Sequence, residues 1–324
     1  MDPHSGPIRW GIAATGHIAG RFATSFAHVD DPDASLAAVG SRHQETADRF
    51  ANEHGIATAH GSYAALAADP NVDVVYVASL QPGHVADAVR FLEAGKHVLV
   101  EKPMALSAGG VDTITAAARA NDRFAMEAMW MRFNPAPVAA VEMIERGDIG
   151  RVTRIDADFV IPVPNDPTHR LRSLEKGGGA LLDLGIYPVT LAWWLLGPPT
   201  DWTVEGTTEA GVDTHVVIEA TWDGASARLT CGLDGTDPIA ARIEGTDGTV
   251  ELSTPFFGAD AVTVDGATSR FEAASLHHQV PEVNRCLRAG LTESPRNPWG
   301  TTRAILAWCD DVLGRLGVVY PDGC

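Results

Sequence analysis

Two parts of the N-terminal sequence combine residue types and spacings that could do chemistry. The first is the segment Gly11-Ile-Ala-Ala14-Thr-Gly16-His17-Ile18-Ala19, between a predicted strand and a predicted helix. A helix N-terminus with bare backbone amides can receive a pyrophosphate there, and Gly16 lets the backbone approach it closely. Ala14 replaces the usual first glycine, so this turn alone fits a plain strand–helix connection equally well. The candidate cofactor-binding residues in this segment are Gly11, Ala14, Gly16, His17 and Ile18.

The second part is Glu101-Lys102-Pro103, which ends the predicted fifth strand. Ligands of parallel sheets bind at the carboxyl ends of the strands, so a lysine there points into the binding crevice. Partial desolvation lowers the pKa of a lysine, which can then polarise or protonate a carbonyl oxygen. The alternative is a lysine paired with Glu101 at the rim of the sheet, and spacing alone does not decide between them.

The end of the second predicted strand indicates which dinucleotide is bound. An NAD site normally offers Asp or Glu there for the ribose 2′-hydroxyl. Here the strand runs into Gly40-Ser41-Arg42 without an acid. Arg42 can pair bidentately with a 2′-phosphate, and Ser41 can donate a hydrogen bond. Within a dinucleotide-binding unit this favours NADP over NAD, whereas the alternative is a solvated arginine that begins a helix.

The elements around these residues alternate between strand and helix. Residues 8–13, 35–40, 72–79 and 97–101 and the segment FAMEAMW are predicted strands, separated by helical stretches. Such alternation requires crossover connections and predicts a doubly wound, mostly parallel sheet of the Rossmann type. This pattern favours phosphate binding by the Gly11–Ala19 turn over a plain strand–helix connection.

The pattern changes near residue 150. Strand-like stretches with period-two alternation follow, interrupted by one apolar helix around IYPVTLAWWLL and closed by the helix TTRAILAWCDDVLGRLG. They predict an α/β domain with a large, open, mostly antiparallel sheet. We therefore expect an NADP-binding domain over 1–127 and a substrate-binding and oligomerisation domain over 128–324.

Composition excludes several classes of function. The formal net charge is −18, so nucleic acid and anionic membranes are repelled at long range and neither is an expected partner. Four cysteines, Cys231, Cys286, Cys309 and Cys324, lack metal-site spacing and are expected to be reduced and mostly buried. The N-terminus lacks a signal-peptide pattern, and no apolar run long enough to span a membrane is evident. These features predict a cytoplasmic enzyme.

Several blocks together resemble the glucose-fructose oxidoreductase / inositol dehydrogenase / rhizopine-catabolism family. They are the Gly11–Ala19 turn, the Ser79–His84 loop, AGKHVLVEKP ending at Pro103, and GGGALLDLGIYP over 177–188. MEAMWMRF and His169-Arg170-Leu171 resemble the branch of dimeric dihydrodiol dehydrogenases and NADP-dependent D-xylose dehydrogenases. The resemblance extends from Ile8 to Pro321.

The resemblance implies catalytic roles for Lys102, Asp183 and Tyr187. Asp183 and Tyr187 are spaced i, i+4 and would share one face of a helix. The alternatives are an N-cap for Asp183 and a core aromatic for Tyr187. In the implied mechanism Tyr187 removes a hydroxyl proton while the Lys102 ammonium lowers the phenol pKa. Asp183 would orient a substrate hydroxyl or Lys102.

The resemblance also implies supporting residues. The Ser79–His84 loop would pass under the cofactor, so Ser79, Gln81 and His84 join Glu101, Lys102 and Pro103 as candidate cofactor contacts. A solvent-facing histidine at a helix start is the alternative for His84. Candidate substrate contacts are Trp130, Arg132, Phe159 and Arg170, besides Asp183 and Tyr187. Their alternatives are domain-interface packing for Trp130, a core phenylalanine for Phe159 and a solvated loop arginine for Arg170.

The expected activity is hydride transfer between NADP(H) and an aldose, a polyol or a trans-dihydrodiol. The alternatives are a hydride shuttle between two sugars with tightly bound NADP, and a non-catalytic NADP(H)-binding sensor. No metal site is expected, because adjacent His277 and His278 point in different directions and no acidic partner stands at ligand spacing. The open sheet predicts a homodimer through the second domain, with a tetramer as the alternative.

Overall fold

The computed structural model describes residues 6–236 and 239–321 of the chain. The helices are α1 His17–Phe26, α2 Gln44–His54, α3 Tyr63–Ala67, α4 His84–Glu93, α5 Ala108–Ala120, α6 Pro135–Glu145, α7 Ile186–Leu196, α8 Val280–Arg288 and α9 Trp299–Leu316. The strands are β1 Ile8–Ala13, β2 Ala34–Gly40, β3 Thr58–His60, β4 Val74–Val77, β5 His97–Glu101, β6 Ala125–Ala128, β7 Val152–Val160, β8 Asp201–Glu209, β9 Val212–Trp222, β10 Ala225–Gly232, β11 Ala241–Gly245, β12 Thr249–Leu252, β13 Ala261–Val264 and β14 Ala267–Arg270.

The first compact unit contains a six-stranded parallel sheet in the order β3-β2-β1-β4-β5-β6. Its central strands β4 and β5 are buried throughout, as expected for a parallel sheet covered on both faces by helices. The order reverses direction on either side of β1, so a crevice is expected at the carboxyl ends of β1 and β4. The predicted Rossmann sheet is confirmed.

The first unit also contains residues from much later in the chain. It comprises the described residues up to Trp130 together with Ser275–Arg303. The Trp10 indole N–H donates to the Asn284 side chain over 3.1 Å, and Arg288 forms an ion pair with Asp31 at 2.9 Å. The backbone N–H of Ala125 bonds to the Thr292 carbonyl. A single division of the chain at residue 127 therefore does not reproduce the compact units, because α8 bonds to Trp10 and Asp31 of the first unit.

The second compact unit comprises Met131–Ala274 and the described residues from Ala304 onward. Its eight-stranded sheet has the order β14-β13-β12-β11-β7-β10-β9-β8. Every neighbouring pair is antiparallel except β7 and β10, which are parallel. The predicted large, mostly antiparallel sheet is confirmed. The apolar helix α7 packs against β7 and β10.

One segment, Leu174–Leu196, is long and apolar enough to cross a membrane by length and composition only. Of its most apolar window, 78% is buried inside the protein, as in many core helices. Cys231, Cys286 and Cys309 are buried and form no disulfide within the described part of the chain, and Cys324 lies outside it. The expectation that His277 and His278 diverge without an acidic neighbour is wrong, because Glu272, His277 and His278 each bring one potential ligand atom within 4.8 Å of the others.

Candidate functional site

A cavity of about 680 Å³ opens at the carboxyl ends of β1, β2 and β4. Among the predicted residues, Ala14, Gly16, Ser41, Arg42 and Ser79 line it. Ala14 has a φ of 114°, which a residue with a side chain rarely adopts. A Cβ added to Gly16 would meet nothing within 4 Å, so the glycine leaves this space open at the start of α1. These features fit the pyrophosphate of a dinucleotide, which needs exposed amides at a helix N-terminus.

Three further predicted residues lie nearby but outside the cavity lining. Gly11 is within β1, and a Cβ there would lie 3.0 Å from a Val72 methyl group. Glycine is therefore needed at position 11 because the chain packs closely on the sheet there. His17 and Ile18 form the first turn of α1. The structure therefore brings Ala14, Gly16, Ser41 and Arg42 together more directly than Gly11, His17 and Ile18.

The cavity includes charged residues that sequence reasoning missed. Tyr63, Asp87 and Arg90 line it beside Arg42. Burial raises the pKa of the Asp87 carboxyl, opposed by Ser79, Arg90 and Arg42. The sequence carried a signal, since Asp87 and Arg90 are three residues apart on one helix that starts at the predicted loop. Two arginines from different elements thus supply positive charge to one cavity.

The Lys102 loop is held by buried acids. The Lys102 backbone N–H donates to the Glu101 carboxylate over 3.0 Å, and the Met104 N–H donates to Glu127 over 3.0 Å. The Tyr76 hydroxyl donates to the other Glu101 oxygen. Glu101 is 5% exposed. These contacts place Lys102 on a fixed backbone at the end of β5, as the sequence predicted.

His84 is fully buried and therefore does not face solvent, so that alternative is wrong. Its Nδ1 lies 2.9 Å from the Pro103 carbonyl oxygen and its Nε2 lies 3.0 Å from that of Ser79. Burial lowers the pKa of the imidazole more than these carbonyls raise it. His84 thus joins the loop after β4 to the Lys102–Pro103 segment. Gln81 is also buried in that loop.

Trp130 and Arg132, which follow β6, belong to different compact units. Trp130 belongs to the first, where the Arg21 guanidinium lies 5.7 Å from its ring centroid. Arg132 belongs to the second, and its guanidinium lies 4.8 Å from the Trp194 ring centroid. Each of these aromatic contacts stays within its own unit.

In the second unit Arg170 forms a forked ion pair with Asp183. Its Nη2 lies 2.9 Å from one carboxylate oxygen and 3.2 Å from the other, and its Nη1 donates to the latter over 3.2 Å. The Asp183 side chain is 9% exposed. Arg170 is therefore not merely a solvated loop arginine. Bidentate pairing fixes both position and orientation of the carboxylate.

The backbone around Asp183 differs from the predicted regular helix. Leu181–Gly185 form one π-helical turn, and α7 begins only at Ile186. Asp183 lies inside that turn, so it is not the N-cap, and the i, i+4 geometry of one α-helix does not apply to it and Tyr187. Single π turns within helices are frequent at functional sites.

Tyr187 lies in a stack of aromatic rings. Its ring centroid is 4.5 Å from that of Phe257 and 5.8 Å from that of Phe159, and Phe159 lies 4.7 Å from Phe257. Phe159 is 7% exposed and Tyr187 is 4% exposed. The sequence indicated Phe159 and Tyr187 but missed Phe257, which lies within a short 3-10 turn that carries no motif. The stack fixes the orientation of the phenol ring.

Two glycines allow the Arg170 loop to lie on the turn that carries Asp183. A Cβ at Gly178 would be 2.5 Å from the Arg170 carbonyl oxygen. The Gly178 carbonyl accepts a hydrogen bond from the Tyr320 hydroxyl over 2.8 Å, and the Gly179 N–H donates to the Leu171 carbonyl. The glycine block is therefore required by close backbone approach.

Known proteins match this chain over both units. Residues 8–129 match an oxidoreductase family model with an NAD-binding Rossmann fold, and residues 138–251 match a GFO/IDH/MocA C-terminal domain. The trans-1,2-dihydrobenzene-1,2-diol dehydrogenase of Danio rerio is 32% identical over 97% of this chain and 98% of its own. The human enzyme of that name is also 32% identical, again over 97% and 98%.

Solved structures agree on the fold. A 3-ketoreductase from Actinomadura kijaniata, in complex with NADP and TDP-benzene, superimposes with a TM-score of 0.83 at 26% identity over 96% of this chain and 98% of its own. An aldose-aldose oxidoreductase from Caulobacter crescentus has a TM-score of 0.84 at 23% identity, over 96% and 98%.

The fold and the cavity define an oxidoreductase with an NAD(P)-binding Rossmann unit. The chain belongs to the GFO/IDH/MocA oxidoreductase family.

Proposed function

We propose that this chain is an NADP-dependent dehydrogenase or reductase that acts on a CH–OH group of a sugar-like or diol substrate. The observation that carries the proposal is the buried Asp183 carboxylate, held by Arg170 in the π turn that leads into Tyr187. A desolvated, oriented carboxylate that precedes a phenol by four residues can bind and align a substrate hydroxyl. The named activities of the relatives, a dihydrodiol dehydrogenase and a 3-ketoreductase, agree in chemical class.

Bound NADP(H) would supply or accept the hydride. Tyr187 takes the proton of the substrate hydroxyl during oxidation and returns it during reduction. Because a tyrosine ordinarily titrates near about 10, a neighbouring cation must stabilise its ionised form, and we assign this to Lys102. Asp183 orients a substrate hydroxyl. Phe159 and Phe257 present apolar ring faces, which suit an aromatic diol or the CH face of a pyranose.

The activity is tested with a panel of aldoses, polyols and trans-dihydrodiols, followed at the nicotinamide absorbance band with NADP or NAD. Lys102→Met and Tyr187→Phe should each lower kcat at least about a hundredfold, in the range typical of lost general acid–base catalysis. Binding of NADP should remain. Wild-type turnover in Tyr187→Phe would remove the phenol from the mechanism. Cofactor that stays bound through purification would instead favour the hydride shuttle.

The preference for NADP is attributed to Arg42 and Arg90 together. The probes are 2′,5′-ADP, which carries the 2′-phosphate, and 5′-ADP, which lacks it. We expect Arg42→Gln and Arg90→Gln each to weaken 2′,5′-ADP about tenfold or more, with little effect on 5′-ADP, because a charge-assisted phosphate contact is lost. Arg49→Gln, an exposed arginine on α2, is the control. Equal affinity of the wild type for both probes would contradict the NADP assignment.

We propose further that the protein works in the cytoplasm and forms a homodimer through the exposed face of its second sheet. The absence of a disulfide among Cys231, Cys286 and Cys309 is compatible with a reducing compartment. Expression with a fluorescent tag followed by fractionation tests the location, and recovery in a membrane or secreted fraction would contradict it.

A further inference from the structure

Asp213 is a buried carboxylate on β9, beneath the turn that carries Asp183. It is 0% exposed. Its Oδ2 accepts a hydrogen bond from the Leu181 backbone N–H over 2.6 Å. Leu181 is the first residue of the π turn, and its N–H is one that the turn itself leaves without an intrahelical acceptor. A side chain from another element therefore caps the turn.

The other carboxylate oxygen lies close to Gly179, two residues before the turn. A Cβ at Gly179 would lie 2.3 Å from Asp213 Oδ1, and Gly179 has a φ of 134°. Only glycine fits this combination of conformation and contact. At the other end of the turn, a Cβ at Gly185 would lie 2.6 Å from the Cys231 sulfur on β10. The turn is thus seated on two neighbouring strands, with Asp213 as its polar anchor.

We propose that Asp213 is a positioning residue, which sets the placement of Asp183 and Tyr187 by holding the Leu181 N–H. Asp183 is two residues beyond this hydrogen bond, and Tyr187 is in the first turn of the helix that follows. A shift of the turn would move both side chains against Arg170 and against the ring of Phe257. The proposal rests on the proposed function of Asp183 and Tyr187.

Burying a carboxylate costs free energy, and the groups around Asp213 decide how much of that cost is offset. Burial raises the pKa of Asp213, while the N–H groups of Leu181, Asp213 and Ala180 lower it. Groups near it include Cys231, whose pKa is raised by burial and by Asp213, and Tyr320, whose pKa is raised by burial, Asp213, Cys309 and Asp183. Because desolvating a charge costs free energy, we attribute the carboxylate at this position to the hydrogen bond that it accepts at the start of the π turn.

The test is a double-mutant cycle on the full-length enzyme with Asp213→Asn, Asp213→Ala and Tyr187→Phe. We expect Asp213→Ala to lower kcat about tenfold or more and Asp213→Asn to lower it less, because an amide oxygen can still accept from Leu181. NADP affinity should change less than about twofold. In the Tyr187→Phe background Asp213→Ala should cost almost nothing further, since residues acting through one another are not additive.

Hydrogen exchange gives a readout that does not depend on turnover. In Asp213→Ala, which removes the acceptor of the Leu181 N–H, peptides covering 178–190 should exchange faster while peptides of the first unit do not. Asp265→Ala is the matched control, because Asp265 accepts a backbone N–H from Thr249 over 2.8 Å in an exposed turn. It should leave kcat and exchange at 178–190 unchanged.

Additive effects on kcat, or unchanged exchange at 178–190 in Asp213→Ala, would overturn the positioning role. Full activity of Tyr187→Phe alone would instead overturn the proposed function, and the exchange experiment would still decide whether Asp213 holds the turn.

Discussion

The ionisation of Asp213 makes the stability of the protein depend on pH. Its pKa is raised from 3.8 to about 6 by burial. The folded protein therefore holds this proton more tightly than the unfolded chain does. The stabilising contribution is complete below the unfolded-state pKa near 4 and is lost as the pH rises through about 6. Above that pH the protein bears the cost of a buried charge.

We predict that Asp213→Asn removes this pH dependence. Relative to the variant, the wild type should gain about 1 kcal/mol of unfolding free energy between about pH 7 and pH 5, out of about 3 kcal/mol for the whole shift. Urea unfolding of both proteins at a series of pH values measures the difference. Parallel curves for the two proteins would show that Asp213 ionises with an ordinary pKa in the folded state.

At the scale of elements, two turns of the second unit contain glycines whose replacement should be costly for different reasons. Gly179 combines a φ of 134° with a contact that would become 2.3 Å to Asp213. Gly266 has a φ of 84° in the turn between β13 and β14, with nothing within 4 Å of a Cβ. Both belong to the second unit. One glycine is thus needed for conformation and packing, the other for conformation alone.

We predict that Gly179→Ala lowers the free energy of unfolding by at least about 3 kcal/mol and Gly266→Ala by about 1 kcal/mol. Strain at a positive φ costs about 1–3 kcal/mol, and a buried steric clash adds to it. Thermal and urea unfolding of the two variants give the comparison. Similar losses in both would mean that the Asp213 contact adapts without cost.

Sequence patterns predicted most of the helices and strands but neither α8 nor the π turn. β1 and β5 have the predicted bounds, 8–13 and 97–101, because buried strands between glycine turns leave a strong apolar signal. α8 was missed because its Val280–Arg288 segment follows the two histidines and mixes charged with apolar residues. The π turn could not be predicted, since it depends on Asp213, 32 residues beyond its hydrogen-bond partner Leu181.

In the candidate site, too, some residues can be predicted from a local motif and others cannot. Ala14, Gly16 and Arg42 follow from a strand–turn–helix pattern, and they do line one cavity. Phe257 and Arg90 reach their places through packing of elements far apart in the chain. A local sequence pattern therefore identifies the residues that belong to a motif. The other residues of the site are brought to it by tertiary packing, which the sequence does not show.

For the whole molecule, the exposed face of the second sheet bears on its assembly. Five charged residues stand at directly opposed positions on five adjacent strands, with alternating sign. They are Glu219 on β9, Arg228 on β10, Asp156 on β7, Arg242 on β11 and Glu251 on β12. Arg228 pairs with Glu219 at 2.5 Å, and Arg242 pairs with Glu251. This row makes the face polar, so a second copy bound there would meet charges rather than an apolar patch.

We predict a homodimer that uses this face and weakens as salt rises, because exposed charges are screened within about 10 Å at 0.1 M ionic strength. Arg228→Glu places like charges opposite Glu219 and Asp156, and should shift the monomer–dimer equilibrium toward monomer at micromolar concentration. Arg146→Glu, an exposed arginine of another ion pair, is the control for the change in net charge. Sedimentation equilibrium at low and high salt measures both. A monomer at low salt would contradict the dimer, and a dimer indifferent to Arg228→Glu would require its interface on another surface.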